Sequence, residues 1–182
     1  MKKLTQLTLL LAVILGFSSQ AQSAVLLEPV LGYNLGTKLN IEDGEKYSGG
    51  MGPSFGGRVG YQNLGFQLGL DYLNSTIDMK DDDFDKDVKM TEWAAFAGFE
   101  FPVLVRVYAG YIFSANAKSG STKLNDGSGA KFGVGFTGLP FVDINLEYRR
   151  GTFTEIKAGG VTADVDTKYE TIMLGVSLPF TI

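Results

Sequence analysis

The sequence predicts an all-β protein, an eight-stranded antiparallel up-and-down transmembrane β-barrel. Three observations carry this prediction. Eight segments of about ten residues alternate in steps of two, and period two marks a strand. The connections between them alternate between long polar segments and tight turns. Finally, one face of each strand is apolar and carries aromatic residues at both ends. About ten residues is the length that crosses a hydrocarbon core when the strand is tilted.

The clearest pair of strands lies between Thr91 and Phe113. One face reads Trp93, Ala95, Ala97, Phe99, Phe101, Val103, Val105, Val107, Ala109, Tyr111 and Phe113. The other reads Glu92, Ala94, Phe96, Gly98, Glu100, Leu104, Arg106, Tyr108, Gly110 and Ile112. Pro102 marks the turn between strands 4 and 5.

The chain has 182 residues with 24 glycines and 12% aromatics, which suits one turn-rich β domain. It has no cysteine, so it has no disulfide and no thiolate chemistry. Lys2 and Lys3 precede an apolar run from Leu7 to Phe17, which is too short to span a bilayer as a helix. Small and polar residues follow, the pattern of a secretory signal peptide. Residues 1–21 are assigned to it, with cleavage possible as late as residue 24, and residues 25–182 form the barrel domain. The mature chain then carries 14 basic and 20 acidic residues, a formal charge of −6. Such a balance argues against nucleic-acid binding.

Strand 1 runs from Leu26 to Gly36, with Leu27, Leu31, Tyr33 and Leu35 on the apolar face and Glu28 and Asn34 opposite. A polar segment from Thr37 to Gly50 leads to strand 2, Met51 to Tyr61, where Phe55, Val59 and Tyr61 oppose Ser54 and Arg58. Gln62-Asn63 is read as a turn. Strand 3 sets Leu64, Phe66, Leu68, Leu70 and Tyr72 against Gln67 and Asp71. An acidic loop, Asn74 to Val88, precedes strands 4 and 5, and a second loop covers Asn116 to Ser128. Strand 6 alternates Ala130, Phe132, Val134 and Phe136 with Lys131, Gly133 and Gly135. After Gly138-Leu139-Pro140, strand 7 sets Ile144, Leu146 and Tyr148 against Asp143, Glu147 and Arg149. A last loop, Gly151 to Asp166, leads to strand 8, which ends on Leu178 and Phe180.

The arrangement of faces decides between lipid and water. A soluble barrel points its apolar residues inward. Here the mixed face combines charges with glycine and serine, which suit a narrow barrel interior. The apolar face carries two aromatic girdles: Tyr33, Tyr72, Trp93, Tyr111 and Tyr148 toward the long connections, and Tyr61, Phe66, Phe99, Phe101, Phe141 and Phe180 toward the tight turns. Two girdles fit two membrane interfaces.

This architecture resembles the small eight-stranded outer-membrane β-barrels, the group that includes the OmpA transmembrane domain and OmpX, over essentially the whole mature chain. Two features depart from it. The last aromatic, Phe180, is followed by Thr181-Ile182, and no peptidoglycan-binding domain is expected after the barrel. The resemblance implies export to the bacterial outer membrane, with outer-membrane lipid, lipopolysaccharide, the barrel-assembly machinery and periplasmic chaperones as partners, and a monomer.

The inward set contains Glu28, Arg58, Asp71, Glu92, Glu100, Arg106, Lys131, Asp143, Glu147 and Arg149. Eight strands leave an interior filled by side chains, and buried charges require partners. These ten residues are therefore expected to form a closed ionic network. The alternative is a narrow ion path in which one arginine exchanges carboxylate partners, or transport of small hydrophobic molecules; an interior void or a lapse of strand pairing near Pro53 would favour it. Outer-membrane barrel enzymes of this size rely on histidine, and the chain has none, so histidine-activated nucleophiles are excluded. Glu92 and Glu100 are read as network members, not as an acid–base pair. The chain is expected to be non-enzymatic and to need no cofactor. Asp83, Asp85 and Asp87 form a weak metal candidate, because their spacing lacks the glycine and distal glutamate of a calcium loop. The expected role is structural, adhesive or surface-interacting, through four extracellular loops.

Overall fold

In the computed structural model, which describes residues 24–40, 46–81 and 84–182, the chain closes into a single barrel. The strands are β1 (Ala24–Asn40), β2 (Lys46–Asn63), β3 (Phe66–Asp81), β4 (Phe84–Phe101), β5 (Val105–Ser119), β6 (Thr122–Leu139), β7 (Val142–Ala158) and β8 (Val161–Ser177), with a short β9 (Phe180–Thr181). Every neighbouring pair is antiparallel, and β1 pairs with both β2 and β8 to close the ring. Closure leaves no strand edge, which hydrocarbon requires. The expected eighth strand is broken at Leu178-Pro179. Proline cannot donate to the ladder, and the chain resumes as β9, paired with β1 at Leu26↔Thr181 and Leu27↔Phe180. Val25 and Ile182 then exchange backbone hydrogen bonds of 2.9 and 3.0 Å.

The strands are much longer than expected, from 15 residues in β5 to 18 in β4. Most of what the sequence suggested as long loops is strand. The acidic stretch from Asn74 to Val88 continues β3 and β4 as a hairpin in register out to Asp81↔Phe84. The stretch from Asn116 to Ser128 continues β5 and β6 to Ser119↔Thr122, and that from Gly151 to Asp166 continues β7 and β8 to Ala158↔Val161. A crossing needs about ten residues, so the surplus projects beyond the membrane on the side of these hairpins, the exterior for this architecture.

At the opposite end the middle turn keeps Pro102 as expected, but the other two are displaced. The first is Leu64-Gly65, not Gln62-Asn63, with φ of 51° and 82°. Two successive positive values give the twist that a two-residue hairpin needs. At the third, Phe141 is a turn residue, not the start of a strand. Pro140 supplies the fixed φ of the first turn position, and Phe141 takes the positive φ of 66° at the second.

Polarity inverts along the barrel. Within the membrane belt the outer face is apolar, and the interior is charged. Beyond Tyr72, Trp93 and Phe113 the outer face turns polar, with Asn74, Thr91, Lys89 and Lys118, and the interior becomes apolar. Ile77, Met79, Val88, Met90, Ala94, Ile112, Ala115, Ala117, Phe153 and Tyr169 form this plug, with Leu39 and Leu124 against it. The cause is the surrounding medium. Where lipid covers the outside, apolar side chains face out; where water covers it, they face in. Register shifts in β1, β5, β6 and β8 help the change of pattern, since an extra residue reverses which parity points inward.

Candidate functional site

The charged interior draws on seven strands, with one buried charge from each of β1 to β6 and Asp143, Glu147 and Arg149 from β7. Arg58 (β2) sits at its centre. It donates through Nε to Asp71 Oδ2 at 2.9 Å, through Nη1 to Glu28 Oε1 at 3.2 Å, and through Nη2 to Glu147 Oε2 at 3.0 Å and the Tyr108 hydroxyl at 2.9 Å. Its guanidinium lies 4.3 Å from the centre of the Tyr108 ring, a cation–π contact. Toward the turn end, Arg106 grips Glu28 with two nitrogens, at 2.6 and 3.0 Å, donates to Asn145 Oδ1 at 2.7 Å, and lies 3.4 Å from Asp143. Toward the exterior, Arg149 pairs with Glu92, donates to Asn34 Oδ1 at 2.7 Å, and lies 3.5 Å from Glu147. Lys131 bridges Asp71 and Glu147, the latter at 3.2 Å.

Nine of the ten charged residues marked from sequence stand in this cluster, all buried. Glu100 differs. It is half-buried near the turn end and accepts a hydrogen bond of 3.4 Å from Gln62, which itself accepts from Gln67. The cluster is layered, since each long cation spans carboxylates from different strands and locks them at one height. Such a desolvated network holds only when its groups are paired and hydrogen-bonded.

Neutral partners complete it; the two-residue period places Asn34 and Ser54 on the inward face, and the closed barrel supplies their partners. Tyr169 donates to Glu92 Oε1 at 2.7 Å, Asn145 to Ser177 at 2.8 Å and Asn34 to Ser54 at 2.8 Å, while Ser54 and Ser75 lie 2.7 Å apart. Tyr108 stood in the inward set but carried no partner. The apolar plug was missed altogether, although Ile77, Met79, Val88 and Met90 alternate with polar residues in the stretch assigned to a loop.

Between network and plug lies a cavity of about 10 Å³, lined by Asp71, Leu73, Glu92, Ala94, Ile112, Lys131, Glu147 and Arg149. That is at the lower limit for a single water. The β2–β3 pairing does lapse, at Gly52 and Pro53, between Met51↔Asp78 and Ser54↔Ser75. The strands nevertheless keep register on either side. A Cβ at Gly52 would strike the Thr76 carbonyl, and Asn34 donates to the Gly52 carbonyl at 3.2 Å.

Ten of the eleven girdle aromatics lie on the outer face, and the eleventh, Phe141, sits in the third turn. Tyr72 opposes Trp93 with ring centres 4.8 Å apart; Phe99 touches Phe66 at 4.7 Å and Phe101 at 4.8 Å. Tyr33, Tyr61, Tyr111 and Phe180 are exposed, and Tyr148 is half-covered. Of the metal candidates, Asp83 lies outside the described residues, nothing is described of the Asp85 side chain, and Asp87 is exposed opposite Asp78; the signal peptide, 1–21, also lies outside the described residues. Among the described residues no group of three or more acidic, histidine or cysteine side chains could hold a metal ion.

Solved structures of the same architecture exist. Neisserial surface protein A is 18% identical, with a TM-score of 0.56 over 87% of this chain and 99% of that one. Ail, the attachment invasion locus protein of Yersinia pestis, solved with the heparin analogue sucrose octasulfate, is 15% identical, with a TM-score of 0.59 over 87% of this chain and all of that one. No curated protein matches the chain in sequence. Residues 9–180 match the outer membrane protein beta-barrel domain. With a closed antiparallel barrel, an apolar belt and a charged interior, the chain belongs to the outer membrane protein beta-barrel domain family of the bacterial outer membrane.

Proposed function

We propose that this protein is a non-conducting, non-enzymatic barrel that presents the projecting ends of its strands at the cell surface, in an adhesive or other surface-interaction role. The apolar plug above the ionic network carries this reading. An ion crossing the barrel would have to break a buried charge network and then pass side chains such as Ile77, Ile112 and Phe153, each 0–1% exposed, that offer it no polar ligand. The absence of histidine removes the base that activates nucleophiles in the barrel enzymes considered above. Ail provides a precedent for attachment on this fold. Export by the leader, insertion by the barrel-assembly machinery with periplasmic chaperones, and a monomeric state complete the reading; the closed ring offers no strand edge to a second copy.

Planar bilayer recording of the reconstituted chain tests it. Silence at all voltages is the expected result. Discrete conductance steps that disappear in Arg106→Ala would sink it and establish the narrow channel instead, for which the pairing lapse at Gly52-Pro53 is the favouring observation.

A further inference from the structure

Four lysines on four consecutive strands stand directly opposite one another. Lys89 on β4 pairs with Lys118 on β5, Lys118 with Lys123 on β6, and Lys123 with Lys157 on β7. Threonines end the row, Thr76 beside Lys89 and Thr162 beside Lys157. Directly opposed residues share a face. This face is the outer one, since Val88, Met90 and Ala117 alternate with the lysines and point into the plug. All four lysines are exposed. At about 4.8 Å between strands, the row is roughly 14 Å long.

Like charges placed directly opposite destabilise a sheet, and this row repeats the arrangement three times in a chain whose overall charge is negative. Only Lys157 has an ion pair, at 2.7 Å to Glu155; among the described residues Lys89, Lys118 and Lys123 form none. Among the described residues the acids near the row are Asp87, two residues beyond Lys89 and opposite Asp78, Glu155, diagonal to Lys123 and opposite Asp164, and Asp126, whose charge acts on Lys157. The centre, Lys118 and Lys123, is bordered along its strands by Asn116, Gly120, Ser121 and Asn125, none of them charged.

We propose that this lysine ladder binds the phosphorylated saccharide headgroups of the surrounding outer leaflet, the lipopolysaccharide that encircles the barrel. Position selects this occupant over an approaching soluble polyanion. The ladder faces sideways from the barrel wall, not outward from the hairpin tips. It begins four residues beyond the aromatic edge at Trp93, roughly 10 Å above it for a strand tilted by about 40°, and it climbs toward β7. That is the layer in which phosphates follow the acyl chains. Four cationic side chains on neighbouring strands suit a run of anionic groups, and neutralising them removes the repulsion built into the sheet.

The assignment rests on the surface-interaction reading above. The test uses the folded full chain in neutral detergent, titrated with phosphate-bearing rough lipopolysaccharide, with the same material after chemical dephosphorylation, and with heparin. The variant replaces Lys89, Lys118 and Lys123 with glutamine. At about fivefold per lysine near an anionic surface, it is expected to bind the phosphorylated material roughly a hundredfold more weakly. The unaltered chain should lose affinity similarly for the dephosphorylated form. Without lipopolysaccharide the variant should unfold at an equal or higher temperature, because opposed like charges are gone. Lys118→Gln alone, expected to weaken binding about fivefold, serves if the triple variant does not fold. Unchanged affinity for phosphorylated lipopolysaccharide overturns the proposal, as does a loss confined to heparin. Bilayer conductance would overturn the surface-interaction reading while leaving these affinities unaltered.

Discussion

Arg106 and Glu28 are joined by two parallel hydrogen bonds, 2.6 and 3.0 Å long, between residues 78 positions apart in the chain. The fork links β5 to β1 through the middle of the barrel, and neither side chain is more than 1% exposed. Glu28 also receives Arg58, so its carboxylate ties three strands together.

Removing one partner of this fork leaves an uncompensated buried charge. Arg106→Met is expected to lower stability by about 3–5 kcal/mol, measured by urea unfolding in lipid vesicles. Adding Glu28→Met should cost less than the sum of the two single changes, because both members of the pair are then apolar. Strict additivity would show that the fork contributes no coupling.

Phe153 fills the plug at 0% exposure and lies 5.1 Å from the Tyr169 ring. Phe153→Ala should cost about 3–5 kcal/mol, seen as a lower unfolding midpoint. The ionic network below remains intact, so the bilayer should stay silent in the same variant. Conductance appearing on this change alone would show that the plug is the only seal.

Gly133 faces Tyr108 so closely that a Cβ there would collide with the hydroxyl end of the ring. Tyr108 in turn carries the Arg58 guanidinium. Gly133→Val is therefore expected to displace the ring and destabilise by about 1–3 kcal/mol. Tyrosine fluorescence and the unfolding midpoint should change together.

Leu64 holds φ at 51° in the first turn, a conformation that costs a branched aliphatic residue roughly 1–2 kcal/mol. Leu64→Asn creates Asn-Gly, the pair this turn type favours. Stability should rise by about 0.5–1 kcal/mol; a fall would mean that the exposed leucine contributes through membrane contact.

Outside the membrane, hydrogen bonds from Lys157 and Asn125 hold the Glu155 carboxyl below the usual carboxylate range. A lowered folded-state value contributes stability above the unfolded value and loses it as pH falls through the folded one. NMR titration of Glu155 should therefore show a midpoint below 4.5, the ordinary value. Lys157→Ala should move it upward.

Much of the membrane-spanning barrel was legible in the sequence because lipid imposes a simple rule. Leu68, Leu70, Val134 and Leu146 had to face out, and Asp71, Arg106 and Glu147 had to face in. Where β3 and β4 leave the membrane the rule reverses, so Ile77-Asp78-Met79 and Val88-Lys89-Met90 lost their contrast with a polar loop. Bulges added to the difficulty. The irregular pairing of β5 with β6 between Ile112 and Ala117 moves the inward set from even to odd positions, which no fixed two-residue count follows.

The amino-acid sequence by itself determined the fold class, the membrane belt and the charges that had to be hidden, because period, length and girdle aromatics are local properties set by the surrounding medium. The tertiary structure decided which carboxylate each cation meets, where the strands end, and that an apolar plug closes the interior. It also set the lysines of four strands side by side. Those facts depend on register between distant segments, and register is fixed by the fit of all eight strands into one closed ring.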